Sequence, residues 1–316
     1  MTTERSAQAS AKVPRNGEKR RQGAGDQSRE RLLAWMPVTE RRLQLANIAT
    51  SVLEGGDGPP VVLLHGPLAN AAHWVRVVPG LVSARRVIAP DLPGHGATEA
   101  GAAPLNIERM LEWLAALIET TCSSPPALVG QLLGGALALR FAIAHGKRIE
   151  QLILVDTFGL TPFQPPAEFG QALTQYIGQP NEATHENLWR QCTFDFDSVR
   201  LRMAERWEPF ATYNVELARK PSVQSAVSAL MEQFAPAIPE SELARNAVPT
   251  TLIWGRHDRP YPLAVAEAAN ARYGWPLHVI ENSADDPPIE QPEALVRVLR
   301  GLLDKSDRNS KGEIHA

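Results

Sequence analysis

Short segments of almost uninterrupted apolar residues recur along the chain, and they constrain its fold more than any other feature. They span residues 61–64, 87–89, 127–130, 152–156, 250–255 and 277–280. Stretches with the apolar spacing of helices, at 107–118 and 134–144, stand between some of them. Strands that are apolar on both faces belong inside a sheet that helices cover on each side. The pattern therefore predicts an α/β fold with a mostly parallel central sheet flanked by helices.

More elements are predicted at the two ends of this region. Residues 38–45 and 48–53 alternate between apolar and polar side chains like an antiparallel pair of strands. The last helix is predicted over 292–303, and a charged tail follows at 304–316.

The first 34 residues have a different composition from the rest of the chain. They are polar and rich in Arg, Lys, Ser, Gln and Gly, whereas the remainder is acidic. Such a segment cannot bury enough apolar surface to fold alone, so 1–34 is predicted to be a disordered basic arm. The alternative is an arm that contacts an anionic surface or partner.

The stretch 161–245 lacks strand patterns and divides the core into two parts, 35–160 and 246–303. It holds more than half of the aromatic residues: Phe163, Phe169, Tyr176, Trp189, Phe194, Phe196, Trp207, Phe210, Tyr213 and Phe234. We interpret it as an inserted helical cap over the carboxyl ends of the strands, where open α/β sheets bind ligands. Most of these rings are expected to fasten the cap, and a few to line a pocket.

Composition narrows the class of protein. The net charge of −3 and the pI of about 6.3 do not suggest a nucleic-acid partner, which usually selects a basic domain. Two cysteines, Cys122 and Cys192, favour a reducing compartment over a disulfide framework. No run of about 20 apolar residues predicts a membrane span, and no apolar N-terminal run predicts a secretory signal. A cytoplasmic protein without cofactor or metal is therefore expected.

Motifs in a fixed order give the chain a family resemblance. They are His65-Gly66, Asp-Leu-Pro-Gly-His-Gly at 91–96, Gly-Gln-Leu-Leu-Gly-Gly at 130–135, Gly-Arg-His-Asp at 255–258 and Glu-Gln-Pro-Glu at 290–293. Together they resemble the α/β-hydrolase superfamily, in particular its capped, cofactor-free hydrolases, over about residues 38–303. The resemblance implies the α/β-hydrolase fold with an inserted cap.

The same resemblance implies a catalytic triad that this sequence does not complete. The family carries a serine in a G-x-S-x-G turn, followed by an acid and a histidine that activates the serine. Here the nucleophile position is Leu132, which has no lone pair. The histidine position is Asp285, and only the acid, Asp258, is retained. We expect His257 to face solvent or nearby backbone and not to replace the missing base.

The two hydrogen-bond donors for an oxyanion are also affected. The resemblance assigns them to the backbone of Leu133 and of the residue after Gly66, which is Pro67. Proline has no N–H to donate. A loop path that differs by one residue would give the role to Leu68.

Two local alternatives remain open at the altered site. Leu132 forms either an apolar patch in an open pocket or the filling of a collapsed one. Asp258 and Asp285 either form a coupled pair of carboxyl groups or are separated because Asp285 turns into solvent, and the sequence favours the second.

The sequence therefore predicts a degenerate relative of the hydrolases, a pseudohydrolase that binds a small apolar ligand or a protein partner. The first alternative is an active enzyme for esters, lactones or carbon–carbon bonds that works by a route without the triad. The second is a purely structural or interaction protein.

Overall fold

The computed structural model describes residues 24–312, with side chains from 25 to 304. Its strands are β1 Thr39–Leu45, β2 Ile48–Gly55, β3 Pro60–Leu64, β4 Arg86–Pro90, β5 Ala127–Gln131, β6 Gln151–Val155, β7 Thr250–Gly255 and β8 Leu277–Ile280. Its helices are α1 Ala24–Leu33, α2 Ile107–Thr121, α3 Leu133–His145, α4 Ala167–Gly178, α5 Glu182–Cys192, α6 Phe196–Met203, α7 Trp207–Ala218, α8 Pro221–Phe234, α9 Glu240–Leu243, α10 Leu263–Tyr273, α11 Pro287–Glu290 and α12 Pro292–Gly312.

One sheet contains all of these strands, in the order β1-β2-β4-β3-β5-β6-β7-β8. β2 pairs antiparallel with both β1 and β4, and the pairs from β4 to β8 are parallel. Ala46 and Asn47, with φ of 47° and 63°, form the tight turn between β1 and β2, as two-residue hairpins require. The predicted α/β fold with a mostly parallel sheet is confirmed.

The sheet is covered on both faces, and β3 shows how the strand alternation divides the core. Val62 and Leu64 join a cluster with Trp113, Phe141 and Trp254, mainly from α2, α3 and β7. Their neighbours Val61 and Leu63 point the other way, into a cluster with Trp74, Leu295 and Leu299. Because both faces are apolar, these strands show the continuous hydrophobic runs seen in the sequence.

The segment between β6 and β7, all of which the structure describes, contains the helices α4 to α9 and no strand. Five of its aromatic residues belong to one apolar cluster, in which Trp189 meets Trp207 and Phe210 edge-on, with ring centroids 5.7 and 5.2 Å apart. Leu32 and Ile289 join this cluster from outside the segment. The inserted helices are therefore tied to both the N-terminal region and the loop before α12.

The prediction of a disordered arm over 1–34 is wrong for residues 24–33, which form α1. Leu32 of this helix is fully buried. Arg29, itself buried, forms an ion pair with the fully buried Asp91 at 2.9 Å and donates to the Tyr213 hydroxyl at 3.0 Å. A polar helix is held here by a buried charge pair, which apolar periodicity cannot reveal. Residues 1–23 lie outside the described part of the chain.

The C-terminal helix is longer than the sequence predicted. The helical backbone continues through residue 312, so most of the charged tail predicted at 304–316 is part of α12, and residues 313–316 lie outside the described residues. None of the described helices combines the length and apolar character needed to cross a bilayer.

Candidate functional site

The turn between β5 and α3 positions the central residue of the site. β5 ends at Gln131 and α3 begins at Leu133, so Leu132 alone joins the two elements. Its φ is 47° and its ψ is −110°, a backbone conformation that costs a leucine on the order of 1–3 kcal/mol. The amide of Leu132 donates to the carbonyl of Val155 at 3.0 Å, which helps to hold the turn. The strained elbow is therefore present although its residue carries no nucleophilic atom.

The glycines that frame this elbow allow backbones to approach closely. A Cβ on Gly130 would lie 2.5 Å from the carbonyl oxygen of Gly134. A Cβ on Gly134 would lie 2.3 Å from the carbonyl oxygen of Leu64, at the end of β3. Only glycine fits at these two positions, so α3 starts directly against β3 and β5.

The side chain of Leu132 packs against the end of β3. A Cβ built on Gly66 would lie 3.2 Å from Leu132 Cδ1 and 3.5 Å from its Cβ. Leu132 is partly buried and lines a cavity of about 390 Å³. The isobutyl group thus covers the backbone next to the two predicted oxyanion donors.

Those two donor positions differ in what they can still provide. Leu133 is the first residue of α3, and the first N–H groups of a helix have no acceptor within the helix. Pro67 also lines the cavity but has no N–H. The next residue, Leu68, has a positive φ of 57° and lines the cavity too. The site therefore has one clear backbone donor at α3 and a proline where the second is expected.

Asp285 lies in the loop between β8 and α11 and is only 5% exposed. Its N–H donates to the carbonyl of Cys192 at 3.3 Å, and its carbonyl accepts from Gln131 Nε2 at 3.1 Å. The Cys192 thiol hydrogen-bonds to its carboxyl group. Burial and the neighbouring Asp258 raise the pKa of Asp285 well above its ordinary value. The favoured expectation that Asp285 turns into solvent is wrong.

Glu290, from the last motif of the sequence, explains why this loop stays inside. One carboxylate oxygen accepts from the Ala284 N–H at 2.6 Å and from the Ser283 hydroxyl at 3.1 Å. The other accepts from the Phe194 N–H at 2.6 Å. The glutamate therefore joins the loop to the inserted helices and leaves Asp285 no route to the surface.

Asp258 follows β7, and two other buried carboxyl groups, Asp156 and Asp285, interact with it electrostatically. Asp258 Oδ1 accepts from the Tyr261 N–H at 2.7 Å, and Asp156 Oδ1 accepts from the Gly255 N–H at 2.9 Å. The second oxygen of each carboxyl group, Oδ2, is buried and has no hydrogen-bond partner. Burial raises the pKa of Asp258 to about 8, and burial together with Asp258 raises the pKa of Asp156 well above its ordinary value. Two buried carboxyl groups that share one proton account for this arrangement.

Sequence reasoning missed a second polar contact in the site. His73 Nε2 and Asp286 Oδ1 are 2.8 Å apart, and both side chains line the cavity. Gln131 Nε2 also approaches Asp286 Oδ1, at 3.3 Å. His73 and Asp286 are 213 residues apart, and no motif joins them. The one available signal was the position of Asp286 beside the altered histidine position.

The cavity combines an apolar wall with this polar base. The inserted helices and the segment before them supply the wall, which includes Phe158, Phe163, Phe169, Leu173, Tyr176, Ile177, Leu188, Trp189, Val227 and Met231. At the base lie His73, Gln131, Leu132, Cys192, Asp285 and Asp286. The cavity is open, so Leu132 does not fill a collapsed pocket. His257 is exposed, stacks on Phe194 and does not line the cavity.

The acidic groups of the site do not form an evident metal centre. Within residues 25–304, no three His, Cys, Asp or Glu side chains converge in an arrangement suited to a metal ion. The chemistry of the site has to be derived from its own carboxyl, imidazole and amide groups.

The fold and the strained turn at Leu132 define a class of protein, and comparison with known sequences identifies the family. The profile of the Alpha/beta hydrolase family matches residues 61–298. The chain belongs to this family.

Its relatives include hydrolases of several kinds. The 2-hydroxymuconate semialdehyde hydrolase of Pseudomonas sp. strain CF600 is 29% identical over 237 residues, which is 72% of this chain and 80% of that protein. The pimeloyl-[acyl-carrier protein] methyl ester esterase of Aeromonas hydrophila is 28% identical over 270 residues, covering 81% of this chain and all of that protein.

Solved structures agree on the fold. The 2-hydroxy-6-oxo-6-phenylhexa-2,4-dienoate hydrolase of a Rhodococcus species superposes with a TM-score of 0.72 at 24% identity, over 86% of this chain and 99% of that chain. The naproxen esterase of Bacillus subtilis superposes with a TM-score of 0.72 at 19% identity, over 88% of this chain and 97% of that chain. At these identities the likeness establishes the fold and not the activity.

Proposed function

We propose that this family member binds a small, largely apolar molecule in the cavity under the inserted helices and does not hydrolyse substrates through a serine triad. The observation that carries the proposal is Leu132. Its isobutyl group stands at the nucleophile position and packs on Gly66, in a cavity of about 390 Å³. Enclosed, mostly apolar pockets with a few convergent polar groups are the usual form of small-molecule sites.

The loss of the triad is chemical as well as positional. In comparable triads, loss of either the nucleophile or the histidine costs about 10⁶ in rate. Here both positions are changed, and no histidine stands at position 285 for the acid Asp258 to orient. With leucine at position 132 there is no hydroxyl proton for a general base at position 285 to accept.

The first experiment tests labelling and turnover. A fluorophosphonate probe should leave the protein unlabelled, and p-nitrophenyl acetate or butyrate should show neither a burst nor steady turnover above background. Labelling of one residue per chain that maps to the cavity would contradict the proposal.

The second experiment tests the cavity itself. The fluorescence of N-phenyl-1-naphthylamine should rise on binding, and Val227→Trp, in the cavity wall, should weaken that binding. Leu201→Trp is the matched control, because Leu201 is 80% exposed and does not line the cavity. Equal binding by both variants would place the dye elsewhere and remove the support for a ligand site.

A second candidate function is an enzyme that uses acid–base chemistry without a covalent intermediate. The contact between His73 and Asp286, 2.8 Å long, has the form of a base oriented by a carboxylate. Burial and the neighbouring Asp258 raise the pKa of Asp285, which makes its carboxyl group a better proton donor to a leaving group at higher pH than an exposed aspartate. The semialdehyde and dienoate hydrolases among the relatives make carbonyl compounds with cleavable carbon–carbon bonds the substrates to test.

One set of activity assays distinguishes the two candidate functions. Esters, lactones and 2-hydroxy-6-oxo-dienoates are tested with the parent protein, His73→Gln and Leu132→Ala. Turnover that His73→Gln abolishes and Leu132→Ala retains would favour the acid–base enzyme over the binding protein.

A further inference from the structure

The base of the cavity is surrounded by carboxyl groups without strong cationic partners. They are Asp156, Asp258, Asp285, Asp286 and Glu290, each at most 7% exposed. Among the side chains that the structure describes, no Lys or Arg forms an ion pair with any of them, and the one basic side chain in an ion-pair contact with them is His73, which contacts Asp286. Two of them, Asp285 and Asp286, line the cavity directly.

A buried amide adds an acceptor that is not used within the protein. Gln131 is 1% exposed and lines the cavity. Its Nε2 donates to the carbonyl of Asp285 and to Asp286, whereas its Oε1 has no hydrogen-bond partner. Buried polar atoms are rarely left without a partner, so this oxygen calls for a donor.

A hydrolase would place two backbone N–H donors for an oxyanion here, and this site has fewer of them. One predicted oxyanion position is Pro67, and the side chain of Leu132 covers the adjacent Gly66. The site has therefore exchanged a pocket that favours negative charge for one that favours positive charge. A ligand that brings N–H donors and a positive charge would satisfy the orphan oxygen and offset the carboxylates together.

We propose that the cavity binds an organic ammonium ion, with its charged head at Gln131, Asp285 and Asp286 and its hydrocarbon body against the apolar wall. This inference rests on the proposed ligand-binding function and adds the chemical class of the ligand. The wall that receives the body includes Phe163, Phe169 and Leu173. A neutral or anionic ligand of the same shape would leave the carboxyl groups without a counter-charge.

Three probes of one shape and different charge test the proposal. They are 3-phenylpropylammonium, 3-phenylpropan-1-ol and 3-phenylpropanoate, titrated calorimetrically into the full chain at pH 8. The ammonium should bind at least about tenfold more tightly than the alcohol, and the carboxylate should bind most weakly. If the alcohol or the carboxylate binds as tightly as the ammonium, the charge inference is overturned and the ligand cavity stands. If none of the probes binds, both proposals are overturned.

Variants then locate the charged head. Asp286→Asn and Asp285→Asn keep the shape of the side chain, and each should weaken ammonium binding about tenfold while the alcohol changes by less than about twofold. Glu168→Gln is the control, because it removes the same charge from an exposed position on α4 outside the cavity lining. An equal effect of the control would mean that the protein's overall charge, and not this site, attracts the cation.

Discussion

Leu132 lies beside Gly66, close enough that a Cβ at position 66 would crowd the leucine side chain. A Cβ on residue 66 would lie 3.2 Å from Leu132 Cδ1. Ligand entry into this corner therefore requires the leucine to move or to be replaced. The relationship suggests how hydrolysis could be restored.

Restoration should require two changes and improve with a third. Leu132→Ser alone should stay at the background rate, because Asp285 cannot act as the histidine. Leu132→Ser with Asp285→His should raise p-nitrophenyl ester hydrolysis by at least about 10². Adding Pro67→Gly supplies an N–H donor, which is worth at most about 10²–10³ more. Leu132→Ala with Asp285→His is the control without a nucleophile and should remain inactive. A parent protein as fast as the triple variant would refute this scheme.

Two glycines should respond in opposite directions to the same substitution. Gly134→Ala should lower the free energy of unfolding by at least about 2 kcal/mol, because its Cβ would lie 2.3 Å from the Leu64 carbonyl oxygen. In Gly170→Ala, on α4, the added Cβ would have no atom within 4 Å. This substitution should therefore raise the free energy of unfolding by about 0.5–1 kcal/mol. Urea denaturation of both variants measures the difference. A Gly134→Ala protein as stable as the parent would mean that the elbow helix can move away from β3.

Two arginines of α1 should differ in their contribution to stability. Arg29→Met leaves the fully buried Asp91 without its ion pair, which should cost about 3–5 kcal/mol. Arg31→Met breaks an exposed contact with Glu208 and should cost less than about 1 kcal/mol. Equal losses in thermal or urea unfolding would mean that Arg29 is not the anchor of this helix. Deleting 1–34 should accordingly destabilise the protein, contrary to what a disordered arm implies.

The acidic pair predicts a pH dependence with a definite sign. Asp258 has a folded-state pKa of about 8, above its unfolded value of about 3.9. The folded state therefore holds an extra proton between these two pKa values, so the stability that this proton contributes falls as pH rises from about 4 to about 8 and is lost above about 8. Asp258→Asn should flatten that fall, because an amide can donate to Asp156 without titrating.

The measurement is the free energy of unfolding between about pH 5.5 and 8.5, which covers most of the predicted fall. In this window the buried His185 and His95, whose pKa values burial lowers to about 3 and about 4, remain neutral when folded. Burial and the nearby carboxyl groups, Asp258 among them, raise the pKa of Cys192, so the difference between parent and variant reports Asp258 together with the buried groups that interact with it. Asp57→Asn, at an exposed turn, is the control. Identical curves for parent and Asp258→Asn would mean that no proton is held at this pair.

The strands were predictable from the sequence because a strand that is buried on both faces is a continuous run of apolar residues. β3 was expected at 61–64 and spans Pro60–Leu64, and β7 was expected and found at 250–255. The turn at Leu132 was recognisable because the close backbone contacts at positions 130 and 134 allow only glycine. These features are local, so a single sequence records them.

The errors concern long-range contacts between polar groups. α1 was taken for a disordered arm because its anchor, the pair of Arg29 with Asp91, spans 62 residues of sequence and has no periodicity. Asp285 was expected to face solvent, as an aspartate in a loop usually does, but Glu290 holds its loop inside through Ala284 and Ser283. The contact between His73 and Asp286 follows from the folded topology alone.

The backbone at residue 132 shows that the strained turn forms without a nucleophilic side chain. Its φ of 47° is set by the junction of β5 with α3 and by the absence of side chains at the flanking glycines. A search that recognises enzymes by main-chain shape would class this chain with the hydrolases. The distinction between catalyst and binder is carried by which atoms a single side chain presents on an unchanged scaffold, so mutation of that side chain can alter function with little effect on architecture.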